Sequence, residues 1–388
     1  MACDKVYGLR RLFLAKQTNG ETGTFYETRA TAIELPKIFT EQVVVDENLG
    51  VRGDSATVDG NLNELTGTIT MTLPKDKANF INHGGVQALF HGAGFSVSTN
   101  AITPLNTGAC ANTFAIYTLD RTGILAERLD GCILTSIDFT FNKSDPPSVS
   151  FAFQASRKLE FWKQEEISAF TNDDATVSTQ EIGQFNAGGF EISDIGAGVM
   201  PITLSDGSDT ETGAYIDGYN PSTGYCTIKR ANPVAFDGDV TVAPAVPAGA
   251  VIISSNISYA SNRAWSMTQP NGDADLKIQS VTLNIATGMS YGEMLMGQKY
   301  LSEVLVGTLE ATGSMTVYID SAAHWVSGNL RTTSGIEITI GDYKIVLPQV
   351  QLTEPPDMAL AKNEPASGDF AFRGLCYDGL DLVSFTNA

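Results

Sequence analysis

The sequence predicts a mainly β protein, a β-sandwich or half-barrel with short helices, in which one structural unit occurs twice. Residues 64–73 (ELTGTITMTL) and 310–319 (EATGSMTVYI) lie 246 positions apart and share an unbroken alternation of polar and apolar side chains. A period of two places successive side chains on opposite faces of a strand. The chain also contains 37 glycines among 388 residues, and its strand-like segments are short. These features favour antiparallel sheets over alternating strands and helices.

The two alternating segments have the same phase. Their polar faces carry Glu64, Thr66, Thr68 and Thr70 in the first copy, and Glu310, Thr312, Ser314 and Thr316 in the second. The opposite faces are apolar, so each segment is predicted to be a half-buried strand. The shared Thr-Gly dipeptide and the shared phase indicate a duplication.

The other elements of the first half follow from similar patterns. Alternation predicts strands at residues 25–35, 42–46 and 113–118. Residues 76–90 are the best helix candidate, although the pair Gly84-Gly85 weakens the helix and favours short turns. Residues 132–141 and 149–154 form the clearest hairpin, with its turn at Pro146-Pro147.

The second half repeats this order of elements. Strands are predicted at residues 278–285, 310–319, 343–352 and 368–373, with a helix-like stretch at 292–305 and a short turn or helix at 320–326. The first hairpin, SDPPSVSFAF, has a longer-looped counterpart in TEPPDMALAKNEPASGDFAF at residues 353–372. Both contain a Pro-Pro turn and finish on Phe-Ala-Phe. This second echo, in the same order as the first, strengthens the case for duplication.

Length and charge divide the chain into three regions. Because 388 residues exceed one typical core, we expect a first repeat at residues 1–163 and a second at 251–388. Residues 164–250 between them are expected to form an acidic inserted β subdomain or a large loop. Residues 164–228 carry 11 acidic side chains and no Lys or Arg, a composition that a solvated surface explains equally well. The formal net charge of −20 disfavours tight binding of nucleic acid.

Cysteine usage and hydropathy suggest where the protein is made. The five cysteines (Cys3, Cys110, Cys132, Cys226 and Cys376) are few and scattered, so we expect neither a disulfide framework nor a metal clip. The first thirteen residues lack an apolar region of signal-peptide length, and the longest apolar run, at residues 243–253, is too short to cross a bilayer. We expect a soluble protein made in the cytoplasm, with no membrane partner.

One motif suggests an enzyme. Residues 288–292 (GMSYG) match the GxSxG nucleophile elbow, Asp320 and His324 follow in Ser–Asp–His order, and His83-Gly84-Gly85 resembles an oxyanion-hole segment. The antiparallel pattern opposes this interpretation, because the elbow belongs to a parallel sheet with crossover helices. Asp320 and His324 also lie within one turn, whereas the hydrolase acid and base come from separate loops. A Ser290 esterase is therefore kept as an alternative only, and we assign no catalytic residue.

Other motifs predict no site. Arg52-Gly53-Asp54 is more simply a polar turn than an adhesion tripeptide. Residues 206–211 (DGSDTE) resemble a calcium loop, but Glu211 occupies the position that requires glycine. The three histidines and dispersed cysteines form no zinc pattern, and no phosphate-binding or dinucleotide-binding fingerprint is present. We therefore predict no metal, no cofactor and no enzymatic activity.

The repeated elements resemble the major tail tube proteins of long-tailed bacteriophages. The resemblance is carried by residues 65–95, 129–154 and 281–319, and it covers about half of the chain. It implies a tube unit, a β-sandwich or half-barrel flanked by a helix, that is present twice. In that family, subunits align their sheets edge to edge into a ring whose inner wall is a continuous β-barrel. Rings usually hold six units, so a chain with two units implies a pseudo-hexameric ring of three chains.

The resemblance also implies a location and partners. The protein would be a structural component of the virion tail, synthesised and assembled in the host cytoplasm. Its partners would be further copies of itself within and between stacked rings, the tape measure protein in the lumen during assembly, and the tail terminator and tail-tip or baseplate proteins. Genomic DNA would pass through during ejection without specific binding.

The polar faces of the repeated strands then become candidates to line a negatively charged conduit. These candidates are Glu64, Thr66, Thr68, Thr70, Glu310, Thr312, Ser314 and Thr316. The alternative, that these faces meet outer solvent, stays open because antiparallel sheets commonly solvate one face. A different β-rich virion component, such as a baseplate hub, decoration protein or adhesin, is the alternative function.

Overall fold

A computed structural model describes residues 10–37, 40–45, 56–62, 64–105, 112–167, 176–181, 185–186, 200–220, 225–237, 239–254, 256–268, 277–292, 301, 303–318, 334–353, 357–359, 367–376 and 381–388. The first part of the chain contains β1 (Arg10–Thr18), β2 (Glu21–Thr22), β3 (Tyr26–Thr28), β4 (Ala32–Glu34), β5 (Thr40–Val45), β6 (Ala56–Leu62), β7 (Leu65–Thr72), a 3₁₀ helix (Lys77–Asn79), α1 (Gly84–Gly92), β8 (Phe95–Val97), β9 (Ala101–Pro104), β10 (Asn112–Asp120), β11 (Leu125–Asn142), β12 (Ser148–Ala155) and β13 (Arg157–Trp162).

The middle of the chain contains β14 (Gln164–Ile167), β15 (Thr176–Glu181), β16 (Phe185–Asn186), β17 (Met200–Ser205), β18 (Thr210–Asn220), β19 (Tyr225–Lys229) and β20 (Val240–Pro244). The last part contains β21 (Trp265–Thr268), β22 (Lys277–Ala286), β23 (Met289–Tyr291), β24 (Val304–Val306), β25 (Glu310–Tyr318), β26 (Ser334–Ile340), β27 (Tyr343–Leu352), β28 (Asp357–Ala359), β29 (Ser367–Gly374) and β30 (Ser384–Asn387). The mainly β class predicted from the sequence is confirmed.

One antiparallel sheet, which we call the central sheet, joins the two halves of the sequence. Its strand order is β4, β7, β12, β11, β22, β25, β29 and β28. β11 and β22 meet in its middle and pair continuously, from Ser136 opposite Ala286 to Asn142 opposite Ser280. Strands that are far apart in sequence therefore share one continuous hydrogen-bonded surface.

β11 is long enough to belong to two sheets. Its second half lies in the central sheet, whereas its first half pairs with β10 and β13 in a flanking sheet that β1 completes. Gly131, with φ of 62°, and a register shift between Leu134 and Ser136 mark the change. β27 has the same double membership, because it pairs with β26 and β30 before its last residues pair with β29. β21 pairs with β26 on the outer side.

The apolar face of the central sheet packs into a single large core. Ile69 and Met71 of β7 and Met315 and Val317 of β25 are all at most 4 % exposed and belong to this core. α1 covers the core with Phe90, whose ring centroid lies 4.6 Å from that of Phe385 in β30. The period of two predicted from the sequence thus produces one buried face in both halves.

The acidic middle region forms a separate six-stranded sheet in the order β14, β20, β17, β18, β19 and β15. This sheet packs on the outer face of the first flanking sheet. β1 separates the two cores, because Leu12 and Leu14 belong to the large core while Phe13 and Ala15 belong to a second core with residues of β17 and β18. The division of the chain at residues 163 and 250 remains a prediction.

Most strand predictions are confirmed, including the two alternating segments as β7 and β25 and the hairpin at residues 132–154 as β11 and β12. The single strand predicted at residues 25–35 is wrong. It is two short strands, β3 and β4, because the chain crosses here from the flanking sheet to the central sheet. The predicted helix at residues 76–90 is a 3₁₀ helix followed by α1, which begins at the glycine pair.

The helix-like prediction at residues 292–305 also needs correction at its end. β24 pairs there with β23, so strand pairing overrides the helix-favouring composition. The motif at residues 52–55, the turn or helix at 320–326, which contains Asp320 and His324, and the Pro-Pro turn at 355–356 lie outside the described residues.

Candidate functional site on the polar face of the central sheet

The second face of the central sheet is mainly polar from β4 to β29. Seven of the eight residues predicted to line a conduit lie on strands of this sheet, and Glu64 directly precedes β7. All eight are exposed or partly exposed, and the residues between them, such as Leu65 and Ala311, are buried in the core. The two predicted groups therefore share one face, although three further strands (β12, β11 and β22) separate them.

Those separating strands supply polar residues that local sequence reasoning missed. One row crosses the sheet through Thr70, Ser150, Asp138, Asn284, Thr312 and Arg373. Alternation in residues 132–141 and 278–285 places Asp138 and Asn284 opposite apolar neighbours. That pattern is the signal that could have identified them. Their place beside Thr70 and Thr312 depends on long-range pairing, which the local pattern does not contain.

Side-chain hydrogen bonds connect these residues across the strands. The Thr70 and Ser150 hydroxyls lie 3.3 Å apart, and the Thr282 and Ser314 hydroxyls lie 2.8 Å apart. At the boundary between the two halves, the Asn284 amide donates to the Asp138 carboxylate at 2.5 Å. The polar face is therefore a connected hydrogen-bonding layer, and such cross-strand pairs stabilise a sheet.

The electrostatic character of this face is negative. Its described acidic side chains are Glu34, Glu64, Asp138, Glu310 and Asp369. The described basic side chains at this face are Arg373, which lies 3.5 Å from Glu310 and is half-exposed, and Lys143, which directly follows β11 and lies 4.6 Å from the centre of the Tyr318 ring. Carboxylates without an excess of cations repel phosphate groups, and the neutral hydroxyls between them add no attraction between opposite charges. The arrangement suits a surface that a polyanion passes without adhering to it.

The GxSxG residues lie on a two-stranded arm formed by β23 and β24. Ser290 is exposed in the middle of β23, whereas a nucleophile elbow requires a sharp turn between a strand and a helix. Tyr291 instead has a structural role, because its hydroxyl donates to the Gly131 carbonyl at the bend of β11. The arm thus anchors the second half of the chain on the first.

The calcium-like loop at residues 206–211 is held by its own backbone. The Asp206 carboxylate accepts backbone N–H bonds from Asp209 at 2.7 Å and Asp237 at 2.9 Å, and these bonds lower its pKa to about 2. Glu211 is buried beside Arg230, with a 2.6 Å ion pair. Within the described part of the chain, no cluster of three or more His, Cys, Asp or Glu residues is placed to hold a metal ion.

Two partly buried histidines predict a pH dependence of stability. Burial lowers the pKa of His83 and His91 below the ordinary value of 6.5, and Lys16 lowers that of His91 further. Below pH 6.5 the histidines of the unfolded chain bind protons more readily than those of the folded protein. The contribution of these histidines to the free energy of unfolding is therefore fully present above pH 6.5 and decreases as the pH falls below it. We expect a lower Tm at roughly pH 5.5 than at roughly pH 7.5. His83→Gln with His91→Gln should flatten this change, and an unchanged slope would contradict the assignment.

Comparisons with known proteins agree with the fold. A model of a phage tail tube protein family matches residues 230–374, a segment that contains the second half of the central sheet and is less than half of the chain. No curated protein matches the chain. Within the described residues, no helix has the length and apolar character needed to cross a membrane. The matched family is structural and non-enzymatic, in agreement with the sequence prediction, and the match supports a structural tail tube role in the virion tail.

Proposed function

We propose that this chain is a subunit of a phage tail tube, that it carries the tube unit twice, and that three copies close a pseudo-hexameric ring. The observation that carries the proposal is the central sheet, which continues from the first half of the sequence into the second with one polar and one buried face. The family match in the second half supports the same role.

The register of the central sheet supports the duplication. Gly67 of β7 lies opposite Phe153, and a Cβ atom on it would fall closer than 3.0 Å to the Phe153 ring and to the Glu34 carbonyl oxygen. Gly313 of β25 has matching neighbours. It lies opposite Phe372, and its Cβ atom would meet the Phe372 ring and the Thr282 carbonyl oxygen. Each Thr-Gly pair therefore makes room for a phenylalanine on one side and a close strand on the other.

The strand order supports it as well. In the first half, successive paired strands follow the order β1, β10, β11, β12, β7 and β4. In the second half, the corresponding order is β21, β26, β27, β29, β25 and β22. β13, on the outer side of β11, corresponds to β30 on the outer side of β27. A single unit used twice accounts for all of these pairings in the same order along the chain.

Ring closure gives the polar face its role. Each open sheet has two edges with unpaired backbone groups, and head-to-tail closure removes both. With three chains, the polar faces would form a bore lined by Glu64, Thr66, Thr68, Thr70, Glu310, Thr312, Ser314 and Thr316, together with the missed Asp138, Ser150 and Asn284. This negatively charged wall would let genomic DNA pass without binding it. During assembly the bore would hold the tape measure protein, and the tube ends would contact terminator and tail-tip proteins.

Electron microscopy of the purified protein tests this proposal. Hollow tubes or stacked rings with threefold or pseudo-sixfold symmetry are expected, and the bore wall should match the polar face of the central sheet. A chain that stays monomeric at high concentration would rule out the tube role and favour another β-rich virion component. A ring with the polar face outside would reject the bore assignment alone.

A further inference from the structure

We propose that one copy of this chain joins the next through β28 and β4, in the same register that joins β11 to β22 within the chain. The proposal rests on the proposed ring and goes beyond it by naming the two edges, the residues that face each other and an arm that secures them. The partner is a second copy of this chain.

The internal boundary between β11 and β22 serves as the template. Thr140 lies opposite Thr282 on the polar face, and Phe139 lies opposite Leu283 on the core face. Phe139 and Leu283 are each 1 % exposed. This boundary therefore excludes water from the core on one face of the sheet, and its backbone hydrogen bonds continue the sheet without a break.

β4 pairs with β7 in the first half of the chain as β22 pairs with β25 in the second half, so β4 is the counterpart of β22. Glu34 lies opposite Thr68 of β7, as Thr282 lies opposite Ser314 of β25. Thr68 and Ser314 are equivalent, because each follows the glycine of its Thr-Gly pair. Glu34 is thus the counterpart of Thr282, and the next residue, Leu35, is the counterpart of Leu283.

β28 pairs with β29 as the second half of β11 pairs with β12, so β28 is the counterpart of that half of β11. Ala359 lies opposite Ser367 of β29, as Thr140 lies opposite Ser148 of β12. Ser367 and Ser148 are equivalent, because each stands five residues before the phenylalanine that covers a Thr-Gly pair. Ala359 is thus the counterpart of Thr140, and Met358 is the counterpart of Phe139.

These correspondences fix the register between two copies. Glu34 of one copy faces Ala359 of the next, and Leu35 faces Met358. Ile33 and Leu35 are partly buried against the edge of the large core, so an added strand would complete their burial. No strand within the described part of the chain pairs with the outer side of β4 or of β28. Strand edges with unpaired backbone groups are templates for strand addition.

The arm adds a second contact at the same boundary. The β23–β24 arm leaves the sheet between β22 and β25 and holds the bend of β11 through Tyr291 and Gly131. β5 and β6 form a similar pair between β4 and β7. In the second half, the backbone bond from Leu375 N–H to the Gln349 carbonyl, 2.9 Å long, matches the bond from Ser156 to Gly131. We infer that the β5–β6 arm of one copy binds the neighbouring copy at the bend of β27, where Leu375 bonds to Gln349.

Cysteine pairs test the register. Directly opposed residues of an antiparallel pair have Cβ atoms about 4.5–5.5 Å apart, which a small backbone adjustment brings within reach of a disulfide. Residues two positions away are about 7–8 Å apart, which is too far. In a background with Cys3, Cys110 and the exposed Cys376 changed to serine, the Glu34→Cys, Ala359→Cys variant should shift on mild oxidation from a monomer band to a reducible trimer band. The matched control, Glu34→Cys with Asp357→Cys, should remain monomeric on the same gel.

A mixing experiment covers the case in which the double variant folds poorly. Equal amounts of the Glu34→Cys and Ala359→Cys single variants should give crosslinked dimers only when mixed. Rings that form without this crosslink, or that crosslink through Asp357→Cys instead, would overturn the proposed register and leave the tube role intact. A parent chain that forms no rings in the microscope would overturn the tube role itself.

Discussion

Replacing Gly313 with valine is expected to destabilise the protein strongly. The added Cβ atom would lie closer than 3.0 Å to both the Thr282 carbonyl oxygen and the Phe372 ring, so strands β22 and β29 would have to move apart. Overpacking in a well-packed core typically costs about 1–3 kcal/mol, and a backbone oxygen cannot move aside as a flexible side chain can. We expect a Tm several degrees lower by circular dichroism, with Ser314→Val on the exposed face as the control.

The same change at Gly67 should have a similar effect, because the Glu34 carbonyl oxygen and the Phe153 ring occupy the matching positions. Phe372→Ala should not restore the Gly313→Val variant, since the Thr282 carbonyl oxygen remains in place. Tolerance of valine at one glycine and not at the other would show that the two sites are not equivalent. That result would weaken the case for duplication.

Lys158→Met is the second substitution expected to have a large effect. The Lys158 ammonium group lies 2.6 Å from Glu127 and 2.7 Å from Glu160, and it donates to the Pro36 carbonyl. Its side chain is 2 % exposed and that of Glu127 is 7 % exposed. Breaking a buried ion pair costs about 3–5 kcal/mol when the remaining charge is left alone. Glu127 keeps Arg10 as a second basic partner, so we expect a loss towards the lower end of that range, to which the Pro36 carbonyl left without its donor also contributes. Urea unfolding measures this loss as a lower midpoint at an unchanged slope.

Lys344→Met provides the matched control. Lys344 pairs with Glu337 at 3.2 Å, but both side chains are about 30 % exposed. Pairs of this kind contribute roughly 0–1 kcal/mol, because solvent screens them. Equal losses in the two variants would show that the Lys158 pair does not behave as a buried one. Because Lys158 also holds Pro36 directly after Leu35, its loss should weaken copy-to-copy contacts more than Lys344→Met does.

Strands with an unbroken alternation could be predicted from the sequence, and β7, β25 and β27 are examples. β11 shows why others could not. Its second half alternates clearly, but its first half buries Glu127, Arg128 and Asp130, whose charges conceal a strand. Those charges are tolerated because Arg128 pairs with Asp130 at 2.8 Å and Glu127 pairs with Lys158. Only the folded chain brings Lys158 of β13 beside Glu127 of β11.

The candidate site also has a part that could be predicted from the sequence and a part that could not. The eight residues named from the sequence lie on the polar face, because alternation alone fixes the face of a strand. Their union into one surface depends on β11 pairing with β22, strands that are more than a hundred residues apart in the sequence. Local patterns contain no information on such a pairing. For the same reason the sequence suggested a helix at residues 292–305, although the end of that stretch lies in β24, whose pairing with β23 determines its conformation.

The pairing of β11 with β22 has one further consequence, because both strands belong to one polypeptide. A tethered contact has an effective concentration set by the chain rather than by the solution, so dilution cannot separate its two sides. Contacts between copies have no such protection. Dilute solutions should therefore contain pieces that keep the whole central sheet, and never half-sheets. Of every two successive boundaries around a closed ring, one would be permanent from folding onward, and only the other would respond to concentration or salt.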